Sequence, residues 1–510
     1  MENRKTSTQN KSVDLVVTIP AVALVLFFAF MIFSYRDAMD KFLTDTFYLV
    51  TNGFGSLLLF LHVITFIMCI WLVLGKYAKK KFGEEAPDLS NFSFYSLIFT
   101  FGSSASIIYW VFIEFYYYLE GPPFGVEPFT VEALKWGSAY PVFHWGIFLF
   151  SAYAIVGVAF AFFIHVKKKN TSRVSAACEC LIGEKHANGL VGRIIDGFFL
   201  FTIIVSTAGY SLGVSIPIVG TFFENTFGID HTLSVDTGII VAVTTCCALA
   251  MYTGLNKGMS FICNARIILF FAVAAFVFIV GDKAFMLNNI LESTGWQAQH
   301  FIQMATQTDA VGGSGWPQSW TVFYALFFLA AIVSAGLYYA KLCKGRTVRE
   351  CVIAIVVASS VGCAIFFWTM GNYSITTYLG DPETFKAMMA QNPYDAIAYV
   401  ISTLPLAKGV MAALLVYAFV STWTFAQSAI YTMAMVSQPN LGESDDPSKI
   451  GRIGWCVITG ILTIAFLYIG GLQTVKNSMV WAGIPSAIVA VMVVISNFKD
   501  MKKVWGDKID

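Results

Sequence analysis

Charged residues are scarce in this sequence. Asp, Glu, Lys and Arg make up 12% of its 510 residues, whereas 57% are apolar. Soluble domains carry about 25% charged residues, and a soluble protein of this length would divide into several domains with charged surfaces. The composition therefore excludes a soluble enzyme, and it also excludes a disordered chain, a disulfide scaffold and a nucleic-acid-binding protein.

Residue sets that are typical of catalysis or metal binding are missing as well. The six His are scattered along the chain, and Cys178-x-Cys180 has neither a second Cys pair nor a nearby His to complete a metal site. No nucleotide-binding P-loop is present. The sequence therefore predicts neither an enzyme nor a primary pump, and we expect no cofactor other than a sodium ion, considered below.

Long apolar runs, in contrast, are abundant. A helix needs about 20 mostly apolar residues to cross a bilayer, and on that criterion the sequence predicts an all-α membrane protein with twelve transmembrane helices. The first run is too long for a signal peptide. The predicted spans are 14–35, 53–75, 92–118, 137–166, 193–220, 236–255, 259–281, 318–342, 347–372, 405–435, 452–472 and 475–497.

The basic residues are distributed unevenly between the predicted loops. If the N-terminus and the even-numbered loops share one side, that side holds 24 of the 32 Lys and Arg, and the other side holds seven, including Lys476. Arg266 lies within a span and completes the set. Because basic loops remain cytoplasmic, the asymmetry predicts that both termini are cytoplasmic.

We single out three ionisable residues at bilayer depth, namely Glu114, His144 and Arg266. Such residues are costly at bilayer depth and are functional candidates for that reason. We expect Glu114 and Arg266 to act as structural charges that pair within the bundle. His144 directly precedes Trp145 and is expected to form a hydrogen bond between helices rather than to carry protons.

Small and hydroxyl-bearing residues interrupt two predicted spans. Gly102-Ser-Ser-Ala-Ser106 in the third span suits either close helix packing or a helix that unwinds and turns free backbone groups toward a ligand. Ser421 and Thr422 in the tenth span are adjacent hydroxyls, which commonly bond to their own helix.

Aromatic residues follow helical spacing in the eighth span, at Trp320, Phe323, Tyr324, Phe327 and Phe328. Steps of three and four residues place them on one face, and the residues that could face them are Tyr116–Tyr118 and Trp145. Aromatic faces bind cations without hydrogen-bond donors, such as a methylated ammonium, with about 0.5–2 kcal/mol per contact. The alternative is a packing or interface stripe. The pattern indicates a polytopic carrier or channel with an aromatic site near the midplane.

Several motifs resemble those of the betaine/carnitine/choline transporter family. The similarity extends from about residue 10 to 500, and the Tyr triplet and short tails are most similar to those of the carnitine/γ-butyrobetaine antiporters. The motifs are Ile113-Glu-Phe-Tyr-Tyr-Tyr118, Pro122-Pro-Phe-Gly125, Phe143-His-Trp-Gly146, Gly183-Glu-Lys-His186, Trp320-Thr-Val-Phe-Tyr324 and Lys344-Gly-Arg-Thr-Val-Arg-Glu350.

The resemblance implies a LeuT-like architecture, in which two inverted five-helix repeats follow two extra helices. It also implies a homotrimer, alternating access and a multi-pass location in the bacterial inner (cell) membrane. The implied divisions are a cytoplasmic tail (1–13), two peripheral helices (14–91), the first repeat (92–283), a periplasmic or extracellular amphipathic connector (284–317), the second repeat (318–497) and a short cytoplasmic tail (498–510).

The resemblance further implies a substrate site. Trp145 would face the ammonium group, and the unwound part of the third span, with Gly102, Ser104 and Ser106, would meet the carboxylate. The other implied substrate-binding residues are Tyr117, Trp320, Phe323, Tyr324, Phe327, Phe328 and Ala331.

The resemblance implies a secondary active transporter of a small zwitterionic ammonium compound. The family usually has Trp after Phe323-Tyr324, whereas this chain has Ala, Leu, Phe327 and Phe328, and carnitine-type members have Tyr where this chain has Ala331. Because Phe has a weaker ring quadrupole than Trp, a compact zwitterion such as glycine, sarcosine or a partly methylated betaine is a rival to betaine and carnitine. The expected partners are this substrate, the lipid bilayer and two further copies of the chain, with no nucleic acid.

The coupling signals in the sequence conflict. Sodium-coupled members carry Gly-x-Gly-x-Gly in the third span, where this chain has Gly102-x-Ser104-x-Ser106. Sodium-independent antiporters place an Arg where this chain has Ser260. Ser421 and Thr422 match the hydroxyl pair of sodium-coupled members, and hard cations prefer oxygen ligands, so we expect a sodium site at this pair. A sodium-independent carnitine/γ-butyrobetaine-type antiporter and a transport-inactive ligand sensor remain alternatives.

Overall fold

A computed structural model describes residues 13–102, 105–169, 171, 173–253, 256–438 and 446–506. Helices dominate these residues, and the only β pairing in them is an isolated bridge between Lys81 and Thr347. Among the residues singled out above, Ser104 lies outside the described residues, and so do the side chains of Gly102 and Ser260.

The α-helices of the first half of the chain vary from single turns to a helix of 39 residues. In chain order they are α1 (Leu15–Ser34), α2 (Arg36–Leu74), α3 (Asn91–Gly102), α4 (Ser106–Glu120), α5 (Val131–His144), α6 (Ile147–Ala161), α7 (Glu179–Ile182), α8 (Glu184–Ala187), α9 (Leu190–Val205), α10 (Gly213–Phe227), α11 (Leu233–Thr253) and α12 (Asn256–Val280).

The second half begins with a helix in the predicted connector and ends with a long helix. These helices are α13 (Lys283–Thr306), α14 (Trp316–Ser319), α15 (Thr321–Leu342), α16 (Val348–Ile353), α17 (Ser359–Phe366), α18 (Asn372–Gly380), α19 (Pro382–Gln391), α20 (Pro393–Ser402), α21 (Ala407–Val436), α22 (Lys449–Ile469) and α23 (Gly471–Trp505).

Short π-helical segments join several of these helices into longer rods. Such segments widen a helix locally and often lie at functional sites. They are Phe162–Val166, Ser206–Leu212, Ala354–Ala358 and Phe367–Gly371, and a 3₁₀ turn spans Val174–Cys178.

Ten helical rods in the described residues are long and apolar enough to cross a membrane, and eleven if a pair bent by 111° counts as one span. The bent pair joins the end of α12 to α13. In the third predicted span, α3 is described as far as Gly102 and α4 from Ser106 onward. The chain is therefore a multi-pass membrane protein.

Several predicted spans are shorter than the observed helices, and two of them illustrate the reason. The second begins at Arg36 rather than near residue 53, and the last ends at Trp505 rather than near 497. Both extensions contain charged residues, which a hydropathy window rejects although they continue a helix readily. Helical structure thus extends beyond the apolar runs that define the predicted spans.

Close backbone approaches hold the centre of the bundle together. The helix α15 packs against α6 and α23, and α4 packs against α5. A Cβ atom on Gly483 of α23 would lie 2.8 Å from the carbonyl oxygen of Leu326 in α15. Only glycine permits this approach without a shift, so Gly483 sets the distance between these two helices.

Candidate functional site

Trp145 lies at a break between α5 and α6. Its backbone N–H donates to Pro141, 3.0 Å away, and the chain leaves helical geometry at Gly146. A Cβ atom on Gly146 would lie 2.4 Å from the carbonyl oxygen of Val142, so glycine is needed for the turn. The break directs the indole of Trp145 toward α15.

Four aromatic rings surround the indole of Trp145, and we name this group the Trp145 cluster. Centroid distances from Trp145 are 6.0 Å to Tyr324, 5.8 Å to Phe327, 6.4 Å to Phe328 and 6.3 Å to Phe367. The structure therefore brings together Trp145 and three residues of the predicted stripe. Phe367, on the π-helical segment after α17, was not predicted.

The two phenylalanines of α15 differ in their surroundings. Phe328 is fully buried, and its ring centroid lies 5.0 Å from those of both Phe150 and Tyr153. Phe327 is half-buried, as is Ala331 one turn further along. Phe327 is thus the more accessible ring of the two, and Phe328 supports the cluster from behind.

A buried carboxylate fixes the orientation of Trp145. The indole Nε1 donates to Glu114 Oε2 at 3.1 Å, and the Tyr118 hydroxyl donates to Glu114 Oε1 at 2.7 Å. Glu114 and Tyr118 are four residues apart on α4 and therefore share a face. Glu114 therefore links α4 to the break between α5 and α6.

His144 extends this network to α15. Its Nδ1 lies 2.8 Å from the Tyr118 hydroxyl, and its Nε2 lies 3.1 Å from Thr321 Oγ1. Because Tyr118 uses its proton on Glu114, we assign the His144 proton to Nδ1, which leaves Nε2 to accept from Thr321. His144 thus forms hydrogen bonds between helices, in agreement with its predicted role.

The other end of the stripe belongs to a different group, which we name the Trp320 cluster. The ring of Trp320 lies 5.3 Å from that of Tyr117 and 4.9 Å from that of Tyr118. The buried ammonium of Lys476 lies 4.0 Å from the centroid of Trp320 and 4.7 Å from that of Phe323. In this cluster, a cation of the chain itself covers two of the predicted substrate-binding rings.

The sequence placed Lys476 in a loop on the less basic side of the membrane, and this was wrong. Lys476 lies in α23, is 4% exposed and donates to the carbonyl oxygen of Ser319 at 2.8 Å. A hydropathy window places it at a span edge because it cannot detect the aromatic faces that shelter the ammonium. Without Lys476, the predicted count of Lys and Arg for the less basic side falls from seven to six.

Tyr117 also belongs to the Trp320 cluster. It lies at the edge of this cluster and is half-buried. Its hydroxyl bonds to the Tyr109 hydroxyl at 2.5 Å, and the Tyr109 ring packs 5.1 Å from that of Tyr394 on α20. Tyr117 is thus fixed by its own helix, and its ring rather than its hydroxyl faces Trp320.

The run of small residues in the third predicted span lies close to this site in the sequence. The helix α4 begins at Ser106, which is fully buried, and continues through Glu114 to Tyr117 and Tyr118. The proposed carboxylate contacts of Gly102, Ser104 and Ser106 stay a prediction.

The predicted sodium-binding hydroxyls differ in their hydrogen bonds. Thr422 Oγ1 donates to the carbonyl oxygen of Ala418 at 2.7 Å, whereas the buried Ser421 Oγ has no hydrogen-bond partner among the described residues. The described residues contain no cluster of three or more His, Cys, Asp or Glu. A cation at this pair would therefore bind hydroxyl and backbone oxygens, which sodium accepts.

Arg266, the second predicted structural charge, lies in α12 and is buried. Its Nε and Nη1 have no hydrogen-bond partner among the described residues. Its role as a paired structural charge stays a prediction.

Sequence reasoning missed two contributors to the site. Phe367 follows no recognisable spacing, because its contact with Trp145 depends on a π-helical segment that hydropathy does not reveal. Lys476 carried a usable signal, since it is the second residue of the predicted span 475–497, and the observed helix begins earlier still, at Gly471.

A comparison with known families covers nearly the whole chain. The model of the BCCT, betaine/carnitine/choline family transporter, matches residues 16–505. Its members are secondary transporters of betaine-, carnitine- and choline-type compounds rather than enzymes, which agrees with the apolar helical rods and the aromatic clusters. The chain therefore belongs to the betaine/carnitine/choline transporter family.

Proposed function

We propose that this chain is a secondary active transporter of a small zwitterionic ammonium compound, with the ammonium bound at the Trp145 cluster. The observation that carries the proposal is the fixed indole of Trp145. Glu114 holds its N–H, four aromatic rings surround it, and no described Lys or Arg lies over its ring. This geometry suits a cation that offers few hydrogen bonds.

The composition of the cluster favours a small substrate. Trp145 is its only indole, and its other rings belong to one Tyr and three Phe, whose quadrupoles are weaker. The candidates are betaine, carnitine and less methylated relatives such as glycine or sarcosine. Each N–H of a less methylated ammonium needs an acceptor, and hydroxyl or backbone oxygens at the start of α4 are suitable.

We further propose that a sodium ion drives transport. The support is the buried Ser421 Oγ, an oxygen with no hydrogen-bond partner among the described residues, next to Thr422. A sodium-independent substrate/product antiporter of the carnitine/γ-butyrobetaine type is the second candidate, favoured by the similarity of the Tyr triplet. A ligand sensor without transport is a more distant one.

The remaining architecture is proposed from the family resemblance. Two inverted five-helix repeats of the LeuT type would rock around the site and open it alternately to each side of the membrane. The protein would form a homotrimer in the bacterial inner membrane with both termini in the cytoplasm. The support for this arrangement is the match of the family model over residues 16–505.

A ligand screen tests the proposed function. Full-length protein in proteoliposomes is offered labelled glycine, sarcosine, dimethylglycine, betaine, choline and carnitine, each with and without sodium. We expect saturable, sodium-stimulated uptake of at least one zwitterion. Exchange that proceeds only with internal substrate and without sodium would support the antiporter instead, and binding without uptake or exchange would support the sensor.

A further inference from the structure

Lys476 is a buried ammonium whose hydrogen bonds are incomplete. Its Nζ can donate three hydrogen bonds, and among the described residues only the carbonyl oxygen of Ser319 accepts one. The rings of Trp320 and Phe323 cover part of the remaining surface, at 4.0 and 4.7 Å. The face of an aromatic ring attracts a cation through its quadrupole, but it offers no localised hydrogen-bond acceptor.

No carboxylate in the described part of the chain forms an ion pair with Lys476. Glu114 interacts with it electrostatically, but both Glu114 oxygens already accept hydrogen bonds, from Tyr118 and Trp145. A cation in a membrane interior is costly without a contacting anion. The position is therefore suited to an anionic group that comes from outside the chain.

Lys476 also borders the place where the substrate ammonium is proposed to bind. Phe323, beneath Lys476, lies 5.1 Å from Tyr324 of the Trp145 cluster, and Trp110 packs against both rings at 6.1 and 5.5 Å. The half-buried rings of Tyr117 and Trp320 form the edge of the Trp320 cluster. The two clusters thus adjoin along α15. The Lys476 ammonium lies over the rings of the Trp320 cluster, whereas no described Lys or Arg lies over the indole of Trp145.

We propose that Lys476 is a specificity-determining residue that binds the anionic group of the substrate and prevents a second cation from occupying the Trp320 cluster. A zwitterion would place its ammonium in the Trp145 cluster and its carboxylate against Lys476. A cation without a carboxylate would meet a fixed positive charge. The inference rests on the proposed function, and it gives Lys476 an anion contact that the family resemblance assigns to Gly102, Ser104 and Ser106.

The test compares two ligands with the same trimethylammonium group. Affinities of betaine, which carries a carboxylate, and choline, which carries a hydroxyl, are measured by calorimetry on full-length protein in detergent. The variants are Lys476→Met and Lys476→Gln, which remove the charge, and Lys476→Arg, which keeps it. The control is Lys386→Gln, because Lys386 also lies over a ring, Phe129 at 4.5 Å, but on α19 outside both clusters.

We expect the wild type to bind betaine more tightly than choline. In the neutral variants the ratio of the two affinities should fall at least about tenfold, because betaine binding weakens. Lys476→Arg and Lys386→Gln should keep the preference. Thermal melting and gel filtration establish that each variant is folded. If neither neutral variant folds, the affinities of the wild-type protein provide the test. Tighter binding of betaine than of choline would support the inference, and equal affinities would overturn it.

The outcomes separate this inference from the proposed function. A wild type that prefers betaine, together with folded neutral variants that keep the full preference, would overturn the role of Lys476 and leave transport at the Trp145 cluster intact. A wild type that binds no compound of the screen would contradict the proposed function, and the inference with it.

Discussion

The Trp145 cluster and the Trp320 cluster share one helix, α15, and similar rings, but they differ in what lies over the rings. Lys476 lies over Trp320 and Phe323, whereas no described Lys or Arg lies over Trp145. Trp145 is instead fixed from its edge by Glu114. The comparison shows that aromatic spacing alone does not locate a cation site, because the chain can fill such a site with its own ammonium.

The largest expected effect separates the two clusters directly. Trp145→Leu removes the central ring of the first cluster, so betaine binding should weaken at least about tenfold, or about 1.4 kcal/mol. Trp320→Leu removes a ring whose face contacts Lys476, and this change should weaken betaine binding less than Trp145→Leu does. Calorimetry on both variants and on Trp296→Leu, a control on α13, measures the difference, and equal losses for Trp145→Leu and Trp320→Leu would contradict the distinction.

Glu114 offers a second way to separate orientation from stability. Glu114→Ala frees the Trp145 indole and should weaken betaine binding about threefold to tenfold, while it also lowers the melting temperature, because buried donors lose their acceptor. Tyr118→Phe removes a different hydrogen bond of the same carboxylate and should lower only the melting temperature. If both variants lose affinity equally, Glu114 does not act by positioning Trp145.

The proposed sodium site at Ser421 and Thr422 offers a test that does not touch the Trp145 cluster. Ser421→Ala removes a buried oxygen that has no hydrogen-bond partner among the described residues. The sodium concentration for half-maximal uptake should rise about fivefold or more, with sodium-free substrate binding unchanged. Ser428→Ala, on the same helix with its hydroxyl bonded to Thr424 at 3.0 Å, is the control. Uptake by Ser421→Ala with unaltered sodium dependence would contradict a sodium site at this pair.

The smallest effect concerns an ion pair outside both clusters. Burial lowers the pKa of His231, but the hydrogen bond with Asp236, and the nearby Glu224 and Asp395, outweigh burial and raise the pKa above 6.5. This pairing stabilises the fold below the unfolded pKa and loses its effect as pH rises through the raised pKa. The melting temperature should therefore fall slightly between about pH 6 and pH 8, and His231→Gln should remove that fall.

Hydropathy predicted most of the helical rods but not the structure near their ends. Whether the run of small residues after Gly102 packs closely or unwinds stays a prediction, because residues 103 and 104 lie outside the described residues. The early start of α2 at Arg36 was not expected, since charged residues outside the apolar core can still be helical. Local composition thus predicts which segments are apolar, but not how far each helix extends.

The site was only partly predictable for a different reason. Periodicity on α15 correctly predicted that Tyr324, Phe327 and Phe328 lie together. It could not show that Phe323 turns toward Lys476, because that contact depends on the packing of α23 against α15. Likewise, the contribution of Phe367 depends on a π-helical segment. Contacts between helices distant in sequence need the fold itself.

The most direct test of the account is an electron cryo-microscopy structure of the full-length protein with bound betaine. We expect the trimethylammonium group within about 6 Å of the rings of Trp145 and Phe327, with Lys476 still over Trp320. An ammonium bound over Trp320, with the Lys476 side chain displaced, would contradict it.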